Sequence, residues 1–452
     1  MNIIIAGAGM VGSTLTRLLT AEGHDVTLID STSAVLNNNL EQYDVMGIQG
    51  NCASMEILQE AGVMEADLLI AATSMDEVNL LCCITAHSMN ENLHTIARIR
   101  NPDYAGQIYS MRNKFGLSMT INPEKQAAVE IERLLKYPGF LKRDSFAKGK
   151  TEIVELRVDA SSKLCNIALM DMNNIVKCRV LVCTVLRQGQ AIAPNGNFVL
   201  REGDRIFVTA PTENLTTLLK NLGIITRRVR RVMICGGGKV SYYLAKNLEK
   251  NGISVQIIER NLDRCQKLAA QLPNTAIIHG DCTDQNLLES EGLADVDAMV
   301  NMTGIDELNM ITSLYGMGRG VQPVITKVNR MDNRNIIDTL NLGSIICPKE
   351  LCCNNIARYV RAMQNQSGAA ISVHAIADGQ AEAVEFQVDS STPHCGIPLK
   401  DLKLKANVLL VSITRAGHTE IPNGMSCFMP GDYIVVVANS QHTIHSIDDI
   451  FA

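Results

Sequence analysis

The chain has 452 residues, enough for three or four domains at roughly 100 to 200 residues each. Hydrophobic residues at 46% and charged residues at 19% are an ordinary globular balance, which argues against a disordered or fibrous chain. Aromatic residues at 4%, no Trp and a net charge of -6 argue against nucleic-acid binding by base stacking or a basic field.

The N-terminus, Met1-Asn2-Ile3-Ile4-Ile5, reaches a glycine cluster at once, without the cationic and long apolar segments of a signal peptide. A strand is predicted over Ile3 to Ala6. Gly7-Ala8-Gly9-Met10-Val11-Gly12 follows it and opens a helix beginning near Val11. In such a loop the first two glycines allow a tight turn and close approach to a pyrophosphate, and the third lets the helix pack on the strand. A second strand runs from Asp25 to Ile29. Asp30 at its end stands where a carboxylate accepts hydrogen bonds from ribose hydroxyls, which favours NAD or an adenine nucleotide and disfavours NADP. The alternative is the same scaffold with a vacant crevice. Strands at Leu68 to Ala71 and Thr95 to Ile99 alternate with amphipathic stretches, the pattern of a parallel sheet covered on both faces. Arg98 and Arg100 leave the latter strand on alternate residues, so both project to one face, where guanidinium groups can fork onto phosphate. A surface pair bound to helix carboxylates is the other reading.

After about residue 140 the pattern changes. Strands at Glu152 to Val158, Val180 to Arg187 and Asp204 to Ala210, split by Pro194-Asn195-Gly196 and Gly203-Asp204 turns, predict a small, mainly β unit with one helix after Glu213.

The whole arrangement then recurs at an offset of about 229 residues. Gly236-Gly237-Gly238-Lys239-Val240 matches the first glycine loop, with Ser241 for the third glycine, and Glu259 falls at the Asp30 position. Gly50-Asn51-Cys52 matches Gly280-Asp281-Cys282, and Thr73-Ser74-Met75-Asp76-Glu77-Val78-Asn79 matches Thr303-Gly304-Ile305-Asp306-Glu307-Leu308-Asn309. Lys327 and Asn329 stand for Arg98 and Arg100. Ser241 is expected to hold its helix slightly off the strand, and Glu259 to fold back to reach a ribose. Loss of the guanidinium groups is expected to separate the two sites by phosphate count. The expected fold is therefore α/β, with tandem duplicated Rossmann-like parallel-sheet units, each followed by a small, mainly β unit. The boundaries fall at 1–140, 141–225, 226–366 and 367–452.

These loops, carboxylates and duplicated order resemble the RCK or KTN regulatory domains, over essentially the whole chain. Two such domains per chain is similar to the peripheral subunits of bacterial Trk potassium-uptake systems. The resemblance implies a cytosolic homotetrameric ring on the cytoplasmic face of the inner membrane, docked on the membrane subunit TrkH or TrkG and touching the membrane only through that partner. It also implies NAD(H) and ATP or ADP as ligands. The first site would use Gly7 to Val11 for phosphate, Asp30 for ribose, Asn51 near adenine, Thr73 and Ser74 at the crevice, and Arg98 on phosphate. The second would use Gly236 to Val240, Glu259, Asp281, Thr303 and Lys327. Asn51 stands where the family commonly has aspartate.

Against this, an NAD-dependent dehydrogenase would need an acid-base group beside the nicotinamide, and the small β units offer no clear His-Asp or Lys-Tyr constellation. A purely structural adaptor is opposed by the carboxylate at both ribose positions. Apolar runs such as Ala66 to Ala72 stop well short of the roughly 18 residues of a membrane helix. The 14 cysteines form no C-x-x-C and read as buried thiols. Gly149-Lys150-Thr151 lacks the leading glycine of a P-loop, which would fall at Asp144. His442 and His445 read as a solvated face, and the basic run Arg227 to Arg231 as a solvated linker into a strand.

Overall fold

In the computed structural model the described residues are 1–137, 140–223, 228–329, 340, 342–363, 370–390, 392–405, 408–439, 444 and 446–451. His442, His445 and Arg227 lie outside them. The apolar N-terminal segment forms β1 (Asn2–Ala6), which pairs in parallel with β2 (Asp25–Asp30) and β4 (Leu68–Ala71). With β3 (Met46–Gln49), β5 (His94–Arg98) and β6 (Met119–Ile121) they make a parallel sheet of order β3-β2-β1-β4-β5-β6. The order reverses between β1 and β4, and the crevice at that reversal opens at the carboxyl ends of the strands.

The second sheet repeats this order with β12 (Arg231–Cys235), β13 (Ser254–Glu259), β14 (Thr275–His279), β15 (Ala298–Asn301), β16 (Val324–Lys327) and β17 (Ser344–Ile346). The basic run does lead into β12: Arg228 and Arg230 are exposed, and Asp297 accepts the backbone N–H groups of Arg230 and Arg231 at 2.8 and 2.9 Å.

Each parallel sheet is followed by an antiparallel one. The first comprises β7 (Lys142–Phe146), β8 (Thr151–Arg157), β9 (Leu181–Arg187), β10 (Gln190–Ile192) and β11 (Arg205–Pro211). The second comprises β18 (Ala370–Ile376), β19 (Ala381–Gln387), β20 (Val408–Arg415), β21 (His418–Glu420) and β22 (Tyr433–Asn439) in the equivalent order. The two small sheets share an apolar core in which Phe146, Ile153 and Phe207 meet Ile376, Val411 and Val435.

The halves also exchange helices. The helix Pro123–Lys136 follows β6, yet Ala127, Ala128, Ile131, Leu134 and Leu135 are buried among Val232, Leu244, Leu248 and Ile257 of the second half. Reciprocally, Cys352, Cys353, Ile356 and Val360 of the helix Pro348–Met363 are buried among Ile3, Ile5, Leu15 and Leu19. The apolar positions of both helices recur at helical spacing, so each presents one face that must be covered. Arg361 adds an ion pair to Glu22. All fourteen cysteines are free thiols and ten are buried. Among the described residues no helix is long and apolar enough to cross a membrane.

Candidate functional site

The first glycine loop turns sharply because Gly7 adopts φ +103°, and a Cβ there would lie 3.0 Å from the Thr73 backbone. Gly12 is forced for a different reason: its Cβ would sit 1.8 Å from the Gly7 carbonyl oxygen. Around Gly9, by contrast, space is open. The helix Met10–Ala21 starts from Gly9 with no side-chain cap and no acidic residue in its first turn, so its N-terminal N–H groups and dipole face the crevice uncompensated. The helix Lys239–Lys250 starts from Gly238 in the same way.

The carboxylate that ends β2 braces this loop. Asp30 accepts from the Ala8 N–H at 2.7 Å and from the Thr32 N–H at 2.8 Å. Glu259 makes the equivalent pair with Gly237 and Asn261, both at 2.7 Å. The extra methylene is accommodated because Gly237 replaces Ala8: a Cβ at Gly237 would lie 3.0 Å from Glu259 Oε2. Ser241, expected to hold its helix away, is fully buried, and its Oγ donates to the Gly236 carbonyl at 2.5 Å. The close approach that Gly12 permits by lacking a side chain is here made into a hydrogen bond.

Asn51 and Asp281 sit beyond β3 and β14, each closing a tight turn. Asn51 accepts from the Ala53 N–H at 3.1 Å; Asp281 accepts from the Thr283 N–H at 2.9 Å and hydroxyl at 2.8 Å. These bonds, the backbone one first, lower the Asp281 pKa from its ordinary value.

Sequence reasoning missed the residues that hold the far wall. Asn79 accepts from the N–H and hydroxyl of Thr73 at 2.8 and 2.7 Å and donates to the Arg98 carbonyl at 2.8 Å, tying the β4 and β5 ends together. Asn309 does the same for Thr303 and Lys327. Asp76 accepts from the N–H groups of Arg100 and Asn101 at 2.8 and 2.7 Å, and Asp306 from Asn329 at 2.8 Å. The repeated Asp-Glu-x-Asn run was their signal in the sequence.

Arg98 Nη1 donates to the Thr73 carbonyl at 3.4 Å and Arg100 Nη2 to the Ser74 carbonyl, and Arg100 Nε lies 3.8 Å from Asp76 at the start of the helix Asp76–Met89, the helix-carboxylate pairing that is the other reading of this residue. Burial, and next the charge of Arg100, lower the Arg98 pKa. Its Nε is buried without a hydrogen-bond partner among the described residues. Lys327 is likewise pushed down by burial, against the opposing pull of Asp306 and Glu124. Glu124, from the exchanged helix Pro123–Lys136, acts electrostatically on both Arg98 and Lys327, and its Oε2 is buried without a hydrogen-bond partner among the described residues. One carboxylate thus acts electrostatically on a cation of each crevice. Tyr243, on the helix of the second glycine loop, accepts from Asn122 Nδ2 at 3.0 Å and donates to the Arg100 carbonyl at 3.4 Å, and burial pushes its hydroxyl up to about 12.

Comparison with known proteins agrees with this duplication. The TrkA-N domain matches residues 3–123 and 232–348, and the TrkA-C domain residues 153–223 and 383–452. A Haemophilus influenzae relative, "Trk system potassium uptake protein TrkA", is 30% identical, covering 100% of this chain and 98% of that one. An Archaeoglobus fulgidus relative, "Trk system potassium uptake protein TrkA homolog", is 32% identical, covering 100% of both. Among solved structures, "GsuK channel bound to NAD" superposes with a TM-score of 0.62 at 15% identity, covering 97% of this chain and 77% of that one.

Proposed function

The chain belongs to the TrkA family of Trk-system potassium-uptake proteins, and from that premise we propose that it is a regulatory subunit that senses nucleotides and gates a Trk-type membrane transporter. The observation that carries the reading is the pair of uncapped glycine loops, each braced by a carboxylate and faced by a half-buried cation. In this reading NAD(H) and ATP or ADP lie with phosphates on Gly7 to Gly12 or Gly236 to Val240. Asp30 and Glu259 turn toward ribose, Asn51 and Asp281 lie near the base, and Thr73, Ser74 and Thr303 line the crevice. Arg98, Arg100 and Lys327 meet the phosphates. The chain is cytoplasmic, forms a homotetrameric ring over the units 1–140, 141–225, 226–366 and 367–452, and reaches the inner membrane through TrkH or TrkG. It has no catalytic role.

A regulator needs two conformations of different nucleotide affinity. Glu124 and Tyr243 support such coupling, because a phosphate drawn to Arg98 alters the charge balance that Lys327 also feels. The decisive experiment is potassium flux through the reconstituted complex, titrated with ATP, ADP, NAD and NADH. Flux should change with at least one nucleotide, and the purified chain should leave NADH absorbance constant with small carbonyl substrates. Flux indifferent to all four would sink the sensing reading, and sustained NADH oxidation would favour a dehydrogenase.

Two substitutions test the site assignments. Asp30→Ala should weaken the first site alone by about 1–3 kcal/mol, through lost charge-assisted hydrogen bonds, and Glu259→Ala the second alone. Calorimetry giving wild-type affinities for both would remove the ribose assignment. Arg100→Ala should lower ATP affinity more than NAD affinity at the first site, since Coulomb attraction grows with phosphate charge. Equal losses would mean that Arg100 does not reach a terminal phosphate.

A further inference from the structure

A cavity of about 460 Å³ lies where the two halves meet, walled by the helix Pro123–Lys136, β7, β8 and β11 of the first half and by the helix Pro348–Met363 and β18 of the second. Neither glycine loop lines it, nor do Asp30 and Glu259. Its volume falls in the usual range for small-molecule sites, about 300–1,000 Å³.

The wall is strongly basic for a chain of net charge -6: among its described residues seven Lys or Arg face four Asp or Glu. Several of these cations are already balanced, Arg205 by Glu155 at 2.5 Å and Lys142 by Asp144 at 3.2 Å, while Arg143 is held by Glu152 at 2.5 Å from behind the wall. Arg358 is different. Its Nη2 meets His374 Nε2 at 3.0 Å, and His374 Nδ1 meets Asp144 Oδ1 at 2.9 Å. For Nε2 to accept from a guanidinium, the ring proton must sit on Nδ1 and point to Asp144, which makes His374 a neutral spacer. Glu385 and Asp144 act electrostatically on the Arg358 guanidinium, yet its Nε is buried without a hydrogen-bond partner among the described residues, where such donors are nearly always paired. Glu130 pairs with Arg133 at 3.1 Å, and burial raises its pKa against the opposing pull of that guanidinium. Phe207, Leu342 and Ile346 supply apolar lining to the same cavity.

We propose that this cavity is a second kind of ligand site, taking a small organic phosphate whose phosphate accepts from Arg358 and whose apolar body lies on Phe207, Leu342 and Ile346. The excess of cationic side chains suits a dianion, and the guanidinium fork matches phosphate geometry. Because the wall is built from both halves and from both kinds of sheet domain, an occupant holds them in one relative arrangement and shifts the balance between conformations.

The test is calorimetric titration of the full chain with phenyl phosphate, and separately with inorganic phosphate, with and without saturating NADH. Phenyl phosphate should fill one site per chain regardless of NADH, and inorganic phosphate should bind more weakly for want of the apolar contact. Arg358→Gln should weaken phenyl phosphate by about ten-fold or more. Asn355→Trp, which fills the cavity from the helix face while keeping Arg358, should abolish binding with the melting temperature preserved. Absence of saturable heat from both probes at millimolar concentration overturns the proposal, as does binding that survives both substitutions. Binding that vanishes when NADH is added places the anion in the nucleotide crevices; the cavity site then fails and the nucleotide reading stands.

Discussion

Ile131→Ala will loosen the second Rossmann unit and spare the unit that carries the residue. Ile131 is fully buried, but its neighbours are Val232, Leu244 and Ile257 of the other half. Removing such a side chain costs about 2–5 kcal/mol, part transfer and part unfilled cavity. Amide exchange should therefore rise over residues 231–259 while β1 and β2 keep their protection. Ile356→Ala should do the reverse, because Ile356 packs with Ile3, Ile5 and Leu15. The two residues lie in separate clusters, so the losses should nearly add. A combined loss of about 4–10 kcal/mol would consume most of a typical 5–15 kcal/mol stability, and the double variant should be largely unfolded. Exchange that rises only in the residue's own unit would show that each helix covers its own sheet in solution.

Gly7→Val will remove nucleotide binding at the first site and leave the second intact. At φ +103° a β-branched residue is strained by about 1–3 kcal/mol, and its Cβ meets the Thr73 backbone at 3.0 Å. Relief by moving Thr73 breaks its bonds to Asn79, and Asn79 also holds the Arg98 carbonyl, so the disturbance reaches the phosphate cation. The first-site affinity should fall by about ten- to hundred-fold or more. Gly236→Val, at φ +99° against Thr303, should silence the second site instead. A Gly7→Val chain that still titrates two sites with unchanged constants would refute the placement of the loop.

The duplicated fold was legible because it rests on local signals: a strand, a glycine turn and a carboxylate about 23 residues on, all repeated at one offset. β3 was not, since Met46-Gly47-Ile48-Gln49 carries too short an apolar pattern to be distinguished from a loop. β7 was missed for a stronger reason. Lys142-Arg143-Asp144-Ser145-Phe146 reads as exposed, yet Arg143 and Asp144 are buried, because Glu152 meets the charge of Arg143 while Lys142 and a hydrogen bond from His374, 230 residues away, hold Asp144. Helix exchange is equally hidden: amphipathic spacing says that Ile131 and Leu135 need cover, not whose sheet supplies it. In the crevice, Asp30 and Glu259 were visible from spacing. Glu124, beside Lys125 on what looks like a charged surface turn, was not, because its role depends on Arg98 and Lys327 arriving from two different sheets.

Two identical chains related by a two-fold axis would have to place every axial residue opposite its own copy. Joining the halves covalently lifts that requirement. The position equivalent to Glu124 is Lys349, so the two halves carry opposite charges at a position where twin chains would carry the same one. Arg98 against Lys327, Ala8 with Asp30 against Gly237 with Glu259, and Gly12 against Ser241 are divergences of the same sort. Any symmetric assembly of this chain therefore displays equal numbers of two chemically distinct crevices, so that the two kinds of crevice can differ in affinity throughout the assembly without breaking its symmetry.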